Sequence, residues 1–400
     1  MTQPTKILHV LGQLNRGGIE MRAVNLMRAA DPHELRFDFC SLSGKPGELD
    51  DEVRRLGGCV HLVPRNRLGF GRAFRALLRQ KQYDVVHAHV LHYGGYLVRM
   101  AAQCGVPGRI AQFCSVHDGH GHGTPRRIYR AWMHRWIDRH ATDILAVSHA
   151  AMQAVWTPQW RADPRCRVIY NGLDVEQFQA PCDAAGVRDR LGVPGGVPVY
   201  LHVGRFCEAK NHRRLLAVFA EVHRRQPDAR LLLVGHGDDE IEQDIRQRIV
   251  KLKLQQSMHL LGQRDDVPKL LAAADALVLP SLWEGLPTAV LEAYAAGTPV
   301  LASDLPGVRE LAEHLPRVAR LPLEADDTQW AEALIRIGRE KAASQRRAER
   351  QEEFRESPFT LQRCLEQYRD VWKRAGTAGE CVFPNESRSF QNPSRYHQLL

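Results

Sequence analysis

Two glutamates, Glu284 and Glu292, stand eight positions apart in SLWEGLPTAVLEAYAAGTPVLASD. The second lies in AVLEAYAA, a segment apolar on every face, and a helix of that kind is normally buried. An isolated buried carboxylate is costly, on the order of several kcal/mol, unless it is paired or hydrogen-bonded. No cation lies near Glu292 in the sequence. It is therefore read as a ligand-holding group, suited to the vicinal diol of a ribose as acids are in other nucleotide sites. A salt bridge to a distant Lys or Arg is the alternative. Glu284 sits earlier, on the turn that follows the strand-like DALVLPS. Pro287 suits the first turn of a helix but offers no N–H. Gly285, Leu286 and Thr288 are thus the expected backbone donors to an anion there.

A second constellation has the same strand-to-helix form. PVYLHVGRF runs into CEAKNHRRLL, so Arg205 leaves the end of a strand and Lys210 opens the next helix. Two cations five residues apart across such a turn can grip diphosphate oxygens as a metal does elsewhere. Two solvated surface charges are the plainer reading. No Asp-x-Asp occurs, which weakens the case for a bridging divalent cation. Gly235-His236-Gly237 lacks the third glycine of a dinucleotide fingerprint, and no phosphate-loop motif is present. His117, His120 and His122 follow one strand, and His87, His89 and His92 follow another. Clustered histidines raise zinc, but the spacing is irregular and no cysteine joins them. Glycine-rich turns at strand ends are better read as active-site loops, and no residue is assigned to a metal.

These groups need a scaffold. Four hundred residues exceed one ordinary core and suggest two domains. Thirteen strand-like segments begin at Lys6, Arg36, Cys59, Asp84, Arg109, Asp143, Arg167, Pro198, Ala229, Ser257, Asp275, Pro299 and Arg317, and helical stretches separate most of them. That alternation predicts α/β architecture: two Rossmann-like, doubly wound parallel sheets with a cleft between them. The expected division is residues 1–180, a Pro- and Gly-rich linker over 181–197, and a second domain over 198–358. An amphipathic helix over 359–375 and a loosely ordered tail over 376–400 follow.

Nine scattered cysteines without a Cys-x-x-Cys pair favour a reducing compartment. The first residues do not read as a signal peptide, and no apolar run is long enough to span a membrane. A cytoplasmic location is expected. Residues 1–180 hold 24 Lys and Arg against 15 Asp and Glu, while the remainder balances at 31 of each, so the first half should face something anionic. The stretch TPRRIYRAWMHRWIDRH (124–140) interleaves arginines with Ile128, Tyr129, Trp132 and Trp136, and residues 64–81 repeat the theme. Such a stretch reads as a membrane-surface helix, although core packing explains any single aromatic equally well. No nucleic-acid-binding module is visible.

In this order the motifs resemble the family-4 retaining nucleotide-sugar glycosyltransferases of GT-B fold, over about residues 5–375. The resemblance rests on LGQLNRGGIE, VVHAH, VIYNGLD, GRFCEAKNHRRLL, EGLPTAVLEA with its Glu-x7-Glu spacing, and AGTPVLASDLPGVREL. It implies an acceptor-binding first domain, a nucleotide-sugar-binding second domain, and a last helix crossing back to the first. By the same resemblance Glu292 binds the nucleotide ribose, Glu284 faces the donor sugar, Arg205 and Lys210 hold the diphosphate, and His117 sits beside sugar and acceptor. Gly17 and Gly18 let the first loop approach the phosphates, and Arg264 lies where the base is read, largely by backbone. Many members carry glycine where this chain has Pro287, which bears on the amide contacts of Gly285, Leu286 and Thr288. The implied activity is hexosyl transfer with retention by front-face attack, from a UDP-linked donor to a glycan or lipid-linked acceptor of bacterial surface polysaccharide. It needs no metal or other cofactor, and its expected setting is the inner face of the cytoplasmic membrane, peripherally. A nucleotide-sugar 2-epimerase and a non-catalytic sugar-nucleotide-binding protein share the fold and are the alternatives.

Overall fold

The computed structural model describes residues 3–64, 69–117, 119, 121, 123–340 and 344–377. The expected tail over 376–400 lies, beyond residue 377, outside them. Two compact units form, Met1–Tyr170 with Gln362–Leu400, and Asn171–Leu361.

The first unit holds β1 (Thr5–Leu11), β2 (Leu35–Ser41), β3 (Val60–Leu62), β4 (Val85–Ala88), β5 (Gly108–Phe113), β6 (Asp143–Ala146) and β7 (Cys166–Val168). They pair in the order β3-β2-β1-β4-β5-β6-β7, every pair parallel. The winding reverses between β1 and β4, and in such sheets a ligand crevice opens beyond the strands' carboxyl ends at that reversal. The strands are largely apolar because helices cover both faces, with polar interruptions that include His9, His87 and Gln112. All three are buried.

Their partners explain the interruptions. His9 stands opposite His87 in register, and its Nδ1 lies 2.9 Å from Nε2 of His89. Nη2 of Arg22 donates to Nδ1 of His89 at 3.3 Å, and the Trp372 indole N–H donates to Nδ1 of His87 at 3.2 Å. Gln112 donates to the hydroxyl of Tyr368. Tyr368 and Trp372 stack at 5.1 Å on the helix Leu361–Thr377, which thereby belongs to the first sheet although it ends the described chain.

The second unit holds β8 (Val199–Val203), β9 (Arg230–Val234), β10 (Met258–Gly262), β11 (Ala276–Leu279), β12 (Val300–Ser303) and β13 (Val318–Leu321). Their order is β10-β9-β8-β11-β12-β13, again parallel throughout. A core of Tyr200, Phe219, Leu231, Trp330 and their neighbours fills one face. Within the segment read as a linker, Ala184–Arg190 is helical, capped by the Asp183 side chain. Val187 and Val193 are buried, and Arg188 bonds both carboxylate oxygens of Asp275. Apolar residues at these two positions let a Pro- and Gly-flanked segment pack instead of spanning.

Trp372 supplies both apolar volume and a donor to the first sheet. Trp372→Ala is expected to cost about 3–5 kcal/mol, read as a lower urea midpoint for the first unit. An unchanged midpoint would show that the last helix does not stabilise that sheet.

Candidate functional site

The winding of the second sheet reverses between β8 and β11, which pair directly through Tyr200 with Ala276 and Leu201 with Leu277. Their carboxyl ends therefore release two neighbouring loops, one leading to Lys210 and one to Glu284. Chain distance had kept these motifs apart; the pairing joins them.

Each loop is shaped for its charged residue. A Cβ on Gly204 would lie 3.0 to 3.3 Å from three carbons of the Lys210 stem, so glycine leaves the channel along which the lysine runs. Lys210 ends a short turn over Glu208–Lys210, and Asn211 follows at φ 50°, a left-handed conformation that asparagine tolerates. The Leu282 N–H donates to the Ala209 carbonyl at 2.8 Å and ties the loops together. Gly307 opens the next helix against the Glu284–Gly285 backbone, where an added Cβ would stand 2.4 Å from the Gly285 carbonyl oxygen.

At the meeting point, Nζ of Lys210 donates to Oε1 of Glu284 at 2.6 Å, and the Ser281 hydroxyl donates to the same oxygen at 2.7 Å. Arg205 is exposed at the end of β8, and among the described residues no ion pair engages it. Pro287 caps the helix Thr288–Ala295. Leu286 is buried there and Thr288 half-buried. Glu292 projects from that helix, and burial raises its carboxyl pKa to about 7, with Lys210 pulling the other way. The structure thus unites Lys210, Glu284 and Glu292, with Arg205 and the Gly285–Thr288 turn beside them. Arg264 stands apart in its chemistry. Its guanidinium makes two bonds to the Asp266 carboxylate, both 2.8 Å.

In the first unit, Gly17 caps the helix Gly18–Ala29 at φ −122°, an extended conformation. Its missing side chain matters sterically, because a Cβ would lie 2.4 Å from a Glu20 carboxylate oxygen. His117 lies beyond β5. Nδ1 of His117 accepts from the Gly119 N–H at 3.0 Å, so the neutral ring carries its proton on Nε2 and can donate from there. His120 and His122 lie outside the described residues.

The second histidine cluster divides. His92 pairs with His134 at 2.8 Å, and His9 takes its place beside His87 and His89, with ligand atoms within 4.8 Å of one another. Three imidazoles could hold a metal, but the donors fix their tautomers. Arg22 and Trp372 occupy Nδ1 of His89 and of His87, so each carries its proton on Nε2. His89 then donates to His9, whose own Nε2 carries the last proton. The group presents N–H bonds where a metal needs lone pairs. Sequence reasoning missed His9 and Ser281: the first is brought in by β1–β4 pairing, while a hydroxyl three residues before the acid was a visible signal.

Glu292 makes a stability prediction. Its folded pKa of about 7 lies above the ordinary value of 4.5, so the fold favours the protonated form. That contribution is complete below the ordinary value and is lost as pH rises through the folded one. Glu292→Gln should match wild type near pH 4 and exceed it by up to about 3 kcal/mol near pH 8. Thermal unfolding across that range checks this, and a constant difference would refute the strain.

Comparison with known proteins bears on this geometry. Residues 16–177 match the profile described as Glycosyltransferase Family 4, and residues 197–340 match Glycosyl transferases group 1. A glycosyltransferase of Bacillus subtilis (strain 168), EpsF, is 32% identical over 83% of this chain and 87% of its own. An Escherichia coli enzyme, UDP-Gal:alpha-D-GlcNAc-diphosphoundecaprenol alpha-1,3-galactosyltransferase, is 32% identical over 58% of this chain and 60% of its own. Among solved structures, Anabaena HepE in complex with UDP-glucose superposes with a TM-score of 0.78 at 19% identity, covering 92% of this chain and 99% of that one. The two parallel-sheet units are thus those of the GT-B fold, and the chain belongs to the family-4 glycosyltransferases.

Proposed function

We propose that this enzyme transfers a hexose from a UDP-linked donor to a glycan or lipid-linked acceptor in surface polysaccharide assembly, with retention and without a metal. The convergence of Lys210, Glu284 and Glu292 at the β8/β11 reversal carries the reading. A relative named for UDP-Gal and a diphosphoundecaprenol acceptor, and a fold neighbour holding UDP-glucose, support the donor and acceptor classes. The same relative is named for an alpha-1,3 product, the retaining outcome from an alpha-linked donor.

On this reading Glu292 accepts hydrogen bonds from the ribose diol, and Arg205 and Lys210 neutralise the diphosphate. Gly17 and Gly18 bring a backbone close to the phosphates. The acceptor hydroxyl attacks C1 on the face from which the diphosphate leaves. The bond from C1 to the phosphate oxygen breaks through an oxocarbenium-like state, and the departing phosphate takes the hydroxyl's proton. His117 donates from Nε2 to the sugar or acceptor. Glu284 orients the sugar and is not the covalent nucleophile of retaining hydrolases. Catalysis is positioning and stabilisation of charge on the leaving group.

The two glutamates should fail differently. Glu292→Gln loses charge-assisted bonds to the diol and should weaken bare UDP by about 1.5–3 kcal/mol. Glu284→Gln releases Lys210 from its ion pair, so bare UDP should bind at least as well as to wild type while transfer falls. Calorimetry with UDP beside single-turnover transfer in EDTA makes the measurement. Equal loss of UDP affinity in both variants, or abolition of transfer by EDTA, would overturn the assignments.

Peripheral membrane contact belongs to the same proposal. Among the described residues no helix is long and apolar enough to cross a membrane. The helix Thr124–His140 buries Met133, His134 and Ile137 but leaves Ile128 and Trp132, one turn apart, 49% and 56% exposed amid its arginines. That pattern suits an anionic surface. Binding to vesicles containing phosphatidylglycerol should weaken steeply as salt rises, because screening shortens from about 10 Å at 0.1 M to about 3 Å at 1 M. Equal binding to neutral vesicles would count against it.

A further inference from the structure

Oε1 of Glu284 receives two hydrogen bonds from donors of different kinds. Lys210 reaches it from another loop on a flexible four-carbon stem, and its ammonium is a point charge that any diphosphate would attract. Ser281 follows the end of β11, is 1% exposed, and donates from only three residues away. One donor can leave with an incoming anion; the other is fixed to the sheet.

We propose that Ser281 is a positioning residue for Glu284. Its hydroxyl retains the carboxylate at the sugar position when a donor's diphosphate draws Lys210 away. This rests on the reading that a nucleotide diphosphate sugar binds here. The physical reason is charge. A carboxylate held only by Lys210 would follow the ammonium toward the phosphates, carrying like charge against the leaving group and deserting the sugar. With Ser281 in place, Lys210 can change partners while Glu284 keeps one hydrogen bond and its direction. The arrangement also accounts for a buried hydroxyl that bonds a carboxylate rather than a backbone carbonyl, where buried serine hydroxyls commonly find their partner.

The test uses the full chain with Ser281→Ala, Ser281→Thr, Glu284→Gln and the double variant Ser281→Ala/Glu284→Gln. UDP affinity is measured by calorimetry, and UDP release by single turnover from UDP-glucose, UDP-galactose and UDP-N-acetylglucosamine, with thermal midpoints as the folding control. Ser281→Ala should bind UDP within about twofold of wild type while its rate at saturating donor falls about tenfold or more, the range of a hydrogen bond to a charged group. Ser281→Thr, which keeps the hydroxyl, should restore the rate. The double variant should be no slower than Glu284→Gln alone, a non-additivity that general damage would not give. A Ser281→Ala rate within twofold of wild type, equal losses in affinity and rate, or additive losses in the double variant each overturn the proposal. A wild-type chain that neither binds UDP nor releases it from the three donors refutes the donor reading itself, and with it any sugar for Glu284 to face.

Discussion

The ion pair between Lys210 and Glu284 is the interaction on which the second unit's site is organised. Its members lie 74 residues apart and meet only because β8 and β11 are adjacent at the reversal of a parallel sheet. Everything nearby accommodates it. Gly204 yields space to the lysine stem, Gly307 admits the backbone that carries the glutamate, and the Leu282 amide fastens one loop to the other. Both side chains are largely shielded, which makes their attraction stronger than at an open surface. Neither is sealed in. A pair of this kind holds a cation without leaving it uncompensated, and a more highly charged anion can compete for it.

Glu292 stands in the opposite condition. Burial raises its pKa, and Lys210 only partly opposes the shift. The helix around it is built of small and apolar residues packed for close contact, so the carboxylate is tolerated rather than accommodated. A group whose charge costs stability and whose neighbours do not explain it is the expected mark of a functional position. The two glutamates of one motif thus differ in state: one is paired with Lys210 and held by Ser281, and the other carries a charge that its surroundings disfavour.

Sequence carried the scaffold well. All thirteen strand segments begin within one residue of their expected starts, because buried parallel strands are written as short apolar runs between helices. The helix Thr124–His140 and the burial around Glu292 were legible for the same reason. What stayed hidden depends on pairing across the sheet. His87, His89 and His92 look like one cluster in the chain, yet alternation along β4 and the turn after it sends His92 toward His134, while β1 contributes His9. The Ser281 contact was open to view three residues before Glu284 but went unread, since a serine after a strand has many ordinary uses. The helix at Ala184–Arg190 was masked by the prolines and glycines that flank it, although Val187 and Arg188 carried its packing and its anchor.

The two units also show two solutions to polar groups in a parallel-sheet interior. In the first, burial holds His87 and His89 well below their ordinary pKa and brings His9 down to about 3, so the imidazoles remain neutral. Neutral rings can then be linked by ordered hydrogen bonds from Arg22 and Trp372, and the last helix is fastened to the sheet through them. Such a network, once its tautomers are set by fixed donors, specifies one packing and offers little to a passing ligand. In the second unit the groups at the reversal are a lysine and two carboxylates, and they lie on the loops and the helix beyond the strands rather than at strand centres. Polarity placed at mid-sheet fixes structure, whereas polarity at the carboxyl ends of β8 and β11 remains available for exchange. That difference in depth along otherwise similar sheets separates histidines that hold the fold from residues suited to a reaction.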